Sequence, residues 1–426
     1  MRHSSGKVPA GARGYHRRMR TDAAPREADL MAADPMEVDL MIVGAGLVGA
    51  SLACALDGSG LRVALVEASA AAAAPPGFDE RKLALAAASL DALAALDVLP
   101  RLPVPPEPIR RIHVSRTGDF GTVRLEAGEY GRDALGGVVL ARELGAALEA
   151  RTDAVQGLLR LRPATVLGAK VEADAMRVDI GRGDGRETWR TRMLVAADGT
   201  RSRLREAAGI GSDVHDYGQH LFVFSAQADR AHDGTAYERF SPHGPLALLP
   251  MAGGRYGGLC GVATGDVAAI AGLDDAAFAG YFQERFGWRA GRIVRVGARS
   301  HYPLSRVVAD SLVAPRLALV GNAAQTIHPV GAQGFNLGLR DALTLAGLVR
   351  TGGDIGEPAR LAAYARSRAD DRARTLALSD GLARLTARDG LPLQLLRTLG
   401  FGLMAGVPGL QAPLVAGAMG YAGSVR

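Results

Sequence analysis

The sequence predicts an α/β protein: a discontinuous parallel-sheet domain, an inserted domain with a mixed or antiparallel β-sheet, and a C-terminal helical segment. Strand and helix patterns alternate in residues 38–67 and again in residues 317–350, as in βαβ units. Between them, residues 220–262 show successive short strand patterns separated by Gly, Pro and Asp turns, which predicts the second domain. With 426 residues, 48% of them hydrophobic, the chain can bury the cores of two or three domains.

Each element follows from a local pattern. Residues 38–43 are a nearly all-apolar run that ends in glycine, as a buried parallel strand does. A helix over residues 47–57 and a strand over residues 62–67 complete a βαβ unit with a right-handed crossover. The other predicted elements are a loop at residues 70–77, strands at residues 109–117, 164–182, 191–197, 221–228, 245–251 and 317–320, and a helix at residues 336–350.

The net charge of +6 is concentrated at the start of the chain. Residues 1–35 carry seven basic and four acidic side chains, so half of the excess lies there. The rest is nearly balanced and has no Lys/Arg run interleaved with aromatic residues, so no nucleic-acid partner is expected. Because this basic start lacks an amphipathic or apolar stripe, we expect a disordered or mis-started leader before Met36.

Cysteine usage favours a reducing compartment. Cys54 and Cys260 are the two cysteines of the sequence, and their wide separation fits neither a disulfide framework nor a zinc site. No metal-ligand pattern and no nucleophile triad occurs in the sequence. We therefore expect a cytoplasmic protein without a metal.

The first motif that carries chemistry is Gly44-Ala45-Gly46-Leu47-Val48-Gly49, between a predicted strand and a predicted helix. Its glycines allow a tight turn and close approach to a pyrophosphate, while the helix N-terminus offers free N–H groups. Glu67, at the end of the second strand, can accept hydrogen bonds from ribose hydroxyls. The motif predicts a Rossmann-like dinucleotide site, and the alternative is a glycine-rich turn in an Ala/Gly-rich protein.

The second motif, Asp198-Gly199, follows a predicted buried strand. A carboxylate at a strand end can bind a ligand hydroxyl. Asp-Gly is also a common turn, and Ser202 can cap a helix, so both interpretations stay open.

The third motif comprises Gly321, Asn322, His328, Pro329, Gly331, Gly334 and Asn336. Small residues and an amide follow a strand, and a glycine-rich turn then opens a helix. That helix N-terminus can stabilise negative charge on the N1–C2=O edge of a flavin. The alternative is a loop before an amphipathic helix. His328 is the titratable candidate near the flavin, with a structural role as its alternative.

With these motifs in this order and spacing, the chain resembles the flavoprotein monooxygenases of the para-hydroxybenzoate-hydroxylase fold, and more closely the ubiquinone-biosynthesis hydroxylases. The Gly321-Asn322 pair, where most of the superfamily has Gly-Asp, is typical of that branch. Within it, the similarity is greatest to the hydroxylases that act on 2-octaprenyl-6-methoxyphenol. The resemblance spans residues 36–424 and is carried by residues 79–85, 236–240, 244–250, 286–292 and 321–329.

The resemblance implies a role for each matching residue. Glu67 is expected to bind the adenosine ribose, and Arg81 and Arg142 to lie along the FAD diphosphate and ribityl chain. Asp198 with Gly199 is expected to serve FAD and NAD(P)H binding.

Further along the chain, Asn322 is implied to contact the ribityl or pyrophosphate region through its amide. The residues implied around the isoalloxazine are Pro329, Gly331, Gly334 and Asn336. Many relatives have glycine where this chain has Ala332. Because alanine adds a Cβ, the backbone contacts with the flavin are expected to differ there from those of the relatives.

The implied reaction is ring hydroxylation of a polyprenyl phenol in ubiquinone biosynthesis, from 2-polyprenyl-6-methoxyphenol to the 1,4-benzoquinol. NAD(P)H reduces FAD, the flavin binds O2 as a C4a-hydroperoxide, and the distal oxygen attacks the ring. The protein holds the ring, excludes water and favours the phenolate. The alternatives are hydroxylation at C5 or C6, a flavin-dependent reductase or dehydrogenase, and a non-catalytic lipid-binding or assembly subunit.

The motifs and patterns together predict the domain limits. They are a leader (1–35), a first FAD-binding segment (36–108), substrate-domain strands (109–130), a second FAD-binding segment (131–215), a substrate-binding β-sheet domain (216–310), a third FAD-binding segment (311–352) and a C-terminal helical segment (353–426).

Residues 398–425 have no charged side chain but contain two prolines and seven glycines, which argues against a membrane-spanning helix. We expect them to pack as helical segments or to form an apolar surface. Such a surface suits a membrane, proteins of a ubiquinone-biosynthesis complex or a prenyl tail. A peripheral position at the inner face of the membrane is thus a further expectation.

Overall fold

The computed structural model describes residues 36–70, 81–119, 121–387 and 419–420. The predicted leader, most of the predicted loop at residues 70–77 and almost all of residues 398–425 lie outside this range. In chain order the elements are β1 Met36–Val43, α1 Leu47–Ala55, β2 Val63–Val66, β3 Lys82–Ala86, α2 Ala87–Ala95, β4 Glu107–Ile109, β5 Arg111–Arg116, β6 Val123–Glu126, β7 Gly136–Leu140, α3 Ala141–Asp153, β8 Leu159–Leu161, β9 Thr165–Val171, β10 Met176–Arg182, β11 Gly185–Ala196, α4 Arg203–Ala207, β12 Ser212–Ala228, β13 Thr235–Phe240, β14 Leu246–Met251, β15 Arg255–Ala263, α5 Val267–Ala271, α6 Asp275–Phe286, β16 Ile293–Val296, β17 Ser300–Ala309, β18 Val313–Ala314, β19 Leu317–Leu319, β20 Gln325–Thr326, α7 Gln333–Val349 and α8 Pro358–Ala387.

The first sheet has eight strands in the described part of the chain, and it contains β19, β11, β1, β2 and β8 as parallel neighbours in that order. Strands β2 and β19 are continuous apolar runs because side chains on both faces are buried, and β1 is likewise buried at every position from Leu40 to Val43. The core includes Leu52 of α1, Leu345 of α7 and Tyr364 of α8. The predicted βαβ unit is therefore present.

The second sheet has nine strands among the described residues, in the order β20-β17-β12-β15-β14-β13-β5-β6, with β16 also paired to β12. Its pairs are antiparallel except β13 with β5, which makes the sheet mixed. Helix α6 packs on one face through aromatic residues, with Phe278 5.0 Å from Phe224 between ring centroids. The other face packs through Leu249 and Met251 against Val138 of a three-stranded sheet, β3-β7-β4.

The first sheet draws its strands from three separated stretches of chain, and the second sheet is assembled mainly from the stretches between them. This arrangement confirms the predicted discontinuous α/β fold. Two details differ from the predicted domain limits: β12 begins at Ser212, and β20 joins the second sheet from within the third FAD-binding segment. Both are strand extensions that pair with β17 across the domain junction.

Two further findings apply to the described residues. None of their helices is both long enough and apolar enough to cross a membrane. Cys54 and Cys260 are buried free thiols.

Candidate active site

The carboxyl ends of four adjacent parallel strands lie at one edge of the first sheet. The strand order β19-β11-β1-β2 places the segments after Leu319, Ala196, Val43 and Val66 side by side. From β1 the chain continues to β2 on one side, whereas β11 lies on the other side of β1. Open α/β sheets bind ligands at such a point, where the strand order reverses. All three sequence motifs and Glu67 begin at these strand ends.

The turn from β1 to α1 depends on its glycines for different reasons. Gly44 has a φ of 103°, and a Cβ there would lie 2.4 Å from the Ala197 carbonyl oxygen. A Cβ on Gly49 would lie 1.9 Å from the Gly44 carbonyl oxygen, so only glycine lets α1 approach the turn. Gly46 has no atom within 4 Å of an added Cβ, and it precedes a helix without a side-chain cap. This turn therefore leaves space and free N–H groups for an anion.

Glu67 ties the end of β2 to this turn. Its Oε2 accepts a hydrogen bond from Ala45 N–H at 2.8 Å, and its Oε1 accepts one from Ser69 N–H at 2.9 Å. Burial acts to raise the pKa of Glu67, but these two N–H donors, together with the Ser69 side chain and Arg162, outweigh it and lower the pKa below its ordinary value. Glu67 is therefore an anion that shapes the turn, in addition to its predicted role toward a ribose.

Asp198 follows β11 and lies against Gly44. Its Oδ2 accepts a long hydrogen bond from Leu204 N–H at 3.4 Å, whereas its Oδ1 is buried without a hydrogen-bond partner. A buried acceptor without a donor destabilises the fold, and a ligand hydroxyl that donates a hydrogen bond to this oxygen would remove that cost. Ser202 caps α4 by accepting from Arg205 N–H at 3.0 Å, so the two interpretations of this motif are compatible.

The turn after β19 is packed directly on α1. Gly321 has a φ of 60°, and a Cβ there would lie 3.0 Å from Val48. A Cβ on Gly338 of α7 would lie 2.8 Å from Val48. Asn322 is exposed at the strand edge. Val48 therefore acts as the contact that sets the spacing between the first and third motifs.

A buried ion-pair network supports this third motif and was not predicted from the sequence. Asp341 on α7 is fully buried and accepts from Arg368 Nε at 2.8 Å, from Gln325 Nε2 at 2.6 Å and from Gly321 N–H at 3.4 Å. Burial raises the pKa of Asp341, and Arg368 acts against that rise. Arg368 also donates to Asp371, which binds Arg340 at 2.8 Å. The Gly321 turn is thus held by charged groups from α7 and α8.

The glycine-rich turn before α7 has two consecutive left-handed residues, Gly331 at φ 68° and Ala332 at φ 51°. For Ala332 this conformation is strained because of its Cβ. An added Cβ at Gly331 would have one neighbour within 4 Å, and at Gly334 none. Pro329 begins the turn and is partly buried. The turn therefore presents open backbone toward the space beside it.

Asn336 is the predicted flavin residue whose side chain is most fully used by the protein itself. Its Nδ2 donates to the carbonyl oxygens of Ala84 and Ala332 at 3.0 and 2.8 Å, and its Oδ1 accepts from Ala86 N–H at 3.0 Å. These bonds join α7 to β3. The side chain of Asn336 thus fixes the turn, and its predicted position beside the isoalloxazine stays a prediction.

His328 has the features of a structural histidine. It is 3% exposed, its Nδ1 accepts from Val330 N–H at 3.3 Å, and its ring packs edge-on against Tyr217 at 4.7 Å. Burial lowers the pKa of His328 to about 4, so the ring is neutral at physiological pH. The structural role, which the sequence left open for this residue, therefore fits the geometry best.

Arg81 and Arg142 lie at one end of the three-stranded sheet. The Ala141 N–H donates to the Arg81 carbonyl oxygen at 2.9 Å, which makes the two arginines near neighbours. Both residues are exposed, and Arg142 lies 3.8 Å from Glu143. Their predicted contact with a diphosphate stays a prediction.

The described residues fit an FAD. They provide an uncapped helix N-terminus with open space at Gly46, an unsatisfied buried acceptor at Asp198 and open backbone at Gly331 and Gly334. No cluster of His, Cys, Asp and Glu among the described residues could hold a metal ion.

Comparison with known proteins agrees with this assignment. Residues 37–379 match the FAD binding domain family. The chain is 35% identical to ubiquinone hydroxylase UbiL of Rhodospirillum rubrum over 88% of each chain. It is 30% identical to 3-demethoxyubiquinol 3-hydroxylase of Escherichia coli, over 73% of this chain and 79% of that protein.

Solved structures show the same fold. The p-nitrophenol 4-monooxygenase PnpA of Pseudomonas putida superimposes with a TM-score of 0.75 over 92% of this chain and 100% of that one, at 16% identity. The anhydrotetracycline hydroxylase OxyS of Streptomyces rimosus has a TM-score of 0.67 over 90% and 76% of the two chains, at 22% identity.

Proposed function

This chain belongs to the FAD-binding-domain family of flavoprotein monooxygenases, and from that premise we propose that it hydroxylates the ring of a polyprenyl phenol in ubiquinone biosynthesis. The observation that carries the proposal is an apolar sheet face beside the turn before α7. Leu221, Val223 and Leu304 form a buried cluster with Tyr217, whose ring contacts His328 next to that turn. Apolar surroundings beside a flavin suit a phenol ring and exclude water.

FAD, when bound, supplies the redox chemistry by taking electrons from NAD(P)H and delivering them to O2. The chain would hold the adenosine half with the Gly44–Gly49 turn and Glu67, and the ribityl and pyrophosphate region with Asp198, Gly321 and Asn322. Residues 329–334 would lie along the ring system. The N-terminus of α7 would stabilise negative charge there.

We propose 2-polyprenyl-6-methoxyphenol as the substrate and the 1,4-benzoquinol as the product, with C5 or C6 hydroxylation as the alternative. The similarity to UbiL and to the C3 hydroxylase of Escherichia coli supports the pathway, while the ring position is the finer part of the proposal. A purely reductive flavoenzyme is the alternative from another reaction class.

The test is quinone-pathway lipid profiling by mass spectrometry in a strain that lacks this protein, with and without its return. Accumulation of a prenylated methoxyphenol that disappears on complementation supports the proposal and identifies the step. An unchanged ubiquinone profile would refute the pathway assignment. Incorporation of one 18O atom from 18O2 into the product distinguishes hydroxylation from reduction.

A prenylated substrate requires access from a lipid phase, and we propose a peripheral membrane position. Residues 398–425, which have no charged side chain, are the segment to test. Loss of vesicle flotation on deletion of residues 398–426 supports this role. Retained flotation would assign lipid contact to another surface.

A further inference from the structure

Glu238 is an acidic residue in an apolar part of the second sheet. It lies on β13, and its cross-strand neighbours are Val114 on β5 and Ala247 on β14. The residues two positions away on the same face, Ala236 and Phe240, are buried hydrophobics. A carboxylate in such a setting does not stabilise the fold, because it loses hydration and has no salt bridge that replaces the lost interactions with water.

Glu238 points toward the turn expected beside the flavin ring. Its Oε1 accepts a hydrogen bond from Gly331 N–H at 3.3 Å, a long bond that leaves the second carboxyl oxygen for another donor. Among the described residues Glu238 makes no ion pair, and part of its side chain remains accessible to solvent. It therefore stands at the boundary between the apolar sheet face and the turn, where a phenol ring would lie.

The other titratable groups on the surrounding elements form hydrogen bonds or ion pairs with other residues, or they are cations. His328 is bonded to Val330 N–H, and Arg116 pairs with Asp119 at 3.1 Å. Lys82 on β3 is a buried cation whose pKa is lowered to about 8 by burial and by Arg255. Glu238 is thus the one acceptor of a proton among these groups that faces the turn.

Resting on the hydroxylase function proposed above, we propose that Glu238 is a catalytic residue that binds the phenolic hydroxyl of the substrate and accepts its proton. The O–H bond of the phenol breaks and an O–H bond forms on the carboxylate, with no electron transferred in this step. The resulting phenolate donates electron density to its ortho and para carbons, which is what an electrophilic oxygen requires. The proton then leaves to solvent from the accessible side of Glu238.

Burial raises the pKa of Glu238 to about 7, and Gly331 N–H acts against this rise. The group is therefore near half ionised at neutral pH, where a general base works best. The contact with Gly331 places the carboxyl group beside the turn, and a pKa of about 7 allows it to exchange a proton at neutral pH.

The experiment compares the flavin-loaded wild type with Glu238→Gln, which keeps the shape and the acceptor for Gly331 N–H but cannot take a proton. The matched control is Glu284→Gln, on an exposed position of α6. A short-chain prenylated methoxyphenol is titrated from pH 6 to pH 8, and its affinity is read from the flavin absorbance change. The same variants are assayed for kcat/KM across this range.

We expect wild-type affinity to fall about tenfold from pH 8 to pH 6, following the ionised fraction of a group with a pKa near 7. Glu238→Gln should bind with a pH-independent affinity and lose about 100-fold or more in kcat/KM. Glu284→Gln should match the wild type. Glu238→Asp, which keeps a shorter base, should retain the pH dependence and recover some of the rate.

A wild-type pH dependence that persists in Glu238→Gln would overturn the assignment, as would a flat wild-type profile. Failure of the wild type to hydroxylate any prenylated phenol would instead remove the proposed function. Hydroxylation with an unchanged Glu238→Gln profile removes Glu238 alone. Circular dichroism of each variant confirms that the comparison is made between folded proteins.

Discussion

The partly buried position of Glu238 predicts a pH-dependent loss of stability that Glu238→Gln should remove. Burial raises the pKa of Glu238 from 4.5 to about 7 in the folded protein. One unit of pKa difference corresponds to about 1.4 kcal/mol. The ionised carboxylate therefore costs the folded state about 3 kcal/mol once the pH is well above 7.

The direction of the effect follows from proton binding. Because the folded pKa is the higher one, the folded state holds the proton more tightly, and its stability falls as pH rises from about 4.5 to 7. Below this window both states are protonated and the cost disappears. His328, whose pKa is lowered to about 4, titrates in the wild type and in the variant alike, so it cancels from their difference.

The assay is urea unfolding of the flavin-free protein at pH 5 and pH 8, followed by circular dichroism. Glu238→Gln should exceed the wild type in unfolding free energy by a margin that widens by about 2 kcal/mol between these pH values. Glu284→Gln, on the exposed surface of α6, should show no such widening. A margin that is equal at both pH values would refute the assignment of a buried, titrating carboxyl to this position.

Four other substitutions test the cofactor turns. Gly49→Ala should lower both stability and FAD affinity because its Cβ would lie 1.9 Å from a backbone carbonyl oxygen. Gly46→Ala has open space around the added Cβ and should weaken FAD binding alone. Chemical unfolding measures the stability of each variant, and flavin-fluorescence titration measures its FAD affinity. Arg368→Met should cost about 3–5 kcal/mol in chemical unfolding because Asp341 loses its buried partner, and a loss below about 1 kcal/mol would contradict this. Ala332→Gly should raise the unfolding free energy by about 1 kcal/mol because it releases a left-handed alanine, and a lower midpoint would count against strain there.

The features of the site that could be predicted from the sequence are those encoded over short stretches. The strand, turn and helix around Gly44 and Gly49 are recognisable because each glycine is required by contacts within the same βαβ unit or its neighbouring strand. The position of Glu67 at the end of the next strand was predictable for the same reason, whereas its bond to Ala45 of that turn became visible in the structure. Local patterns also predicted the two kinds of sheet, because burial on one or both faces leaves a visible periodicity.

The partners of polar side chains were not predictable, because they come from distant regions of the chain. Asn336 has the residue type and position of a flavin ligand, yet its amide is satisfied by Ala84 and Ala86, about 250 residues earlier in the sequence. Asp341 depends on Arg368, which follows 27 residues later on another helix. Such pairs have no spacing rule, so the sequence alone identifies the residues without their partners.

Glu238 shows why the chemistry of the site requires the fold. In the sequence it is one acidic residue in an alternating strand, a pattern typical of a solvated sheet face. Only the packing of β13 beside the turn at Gly331, 93 residues away, brings the carboxyl group against that turn and takes part of it out of water. The same packing makes the group costly for stability and useful for proton transfer, since both follow from the higher pKa of a poorly hydrated carboxylate. Asp341, whose pKa is also raised by burial, is held by Arg368, whereas Glu238 makes no ion pair among the described residues, and this difference favours a role of Glu238 toward a ligand.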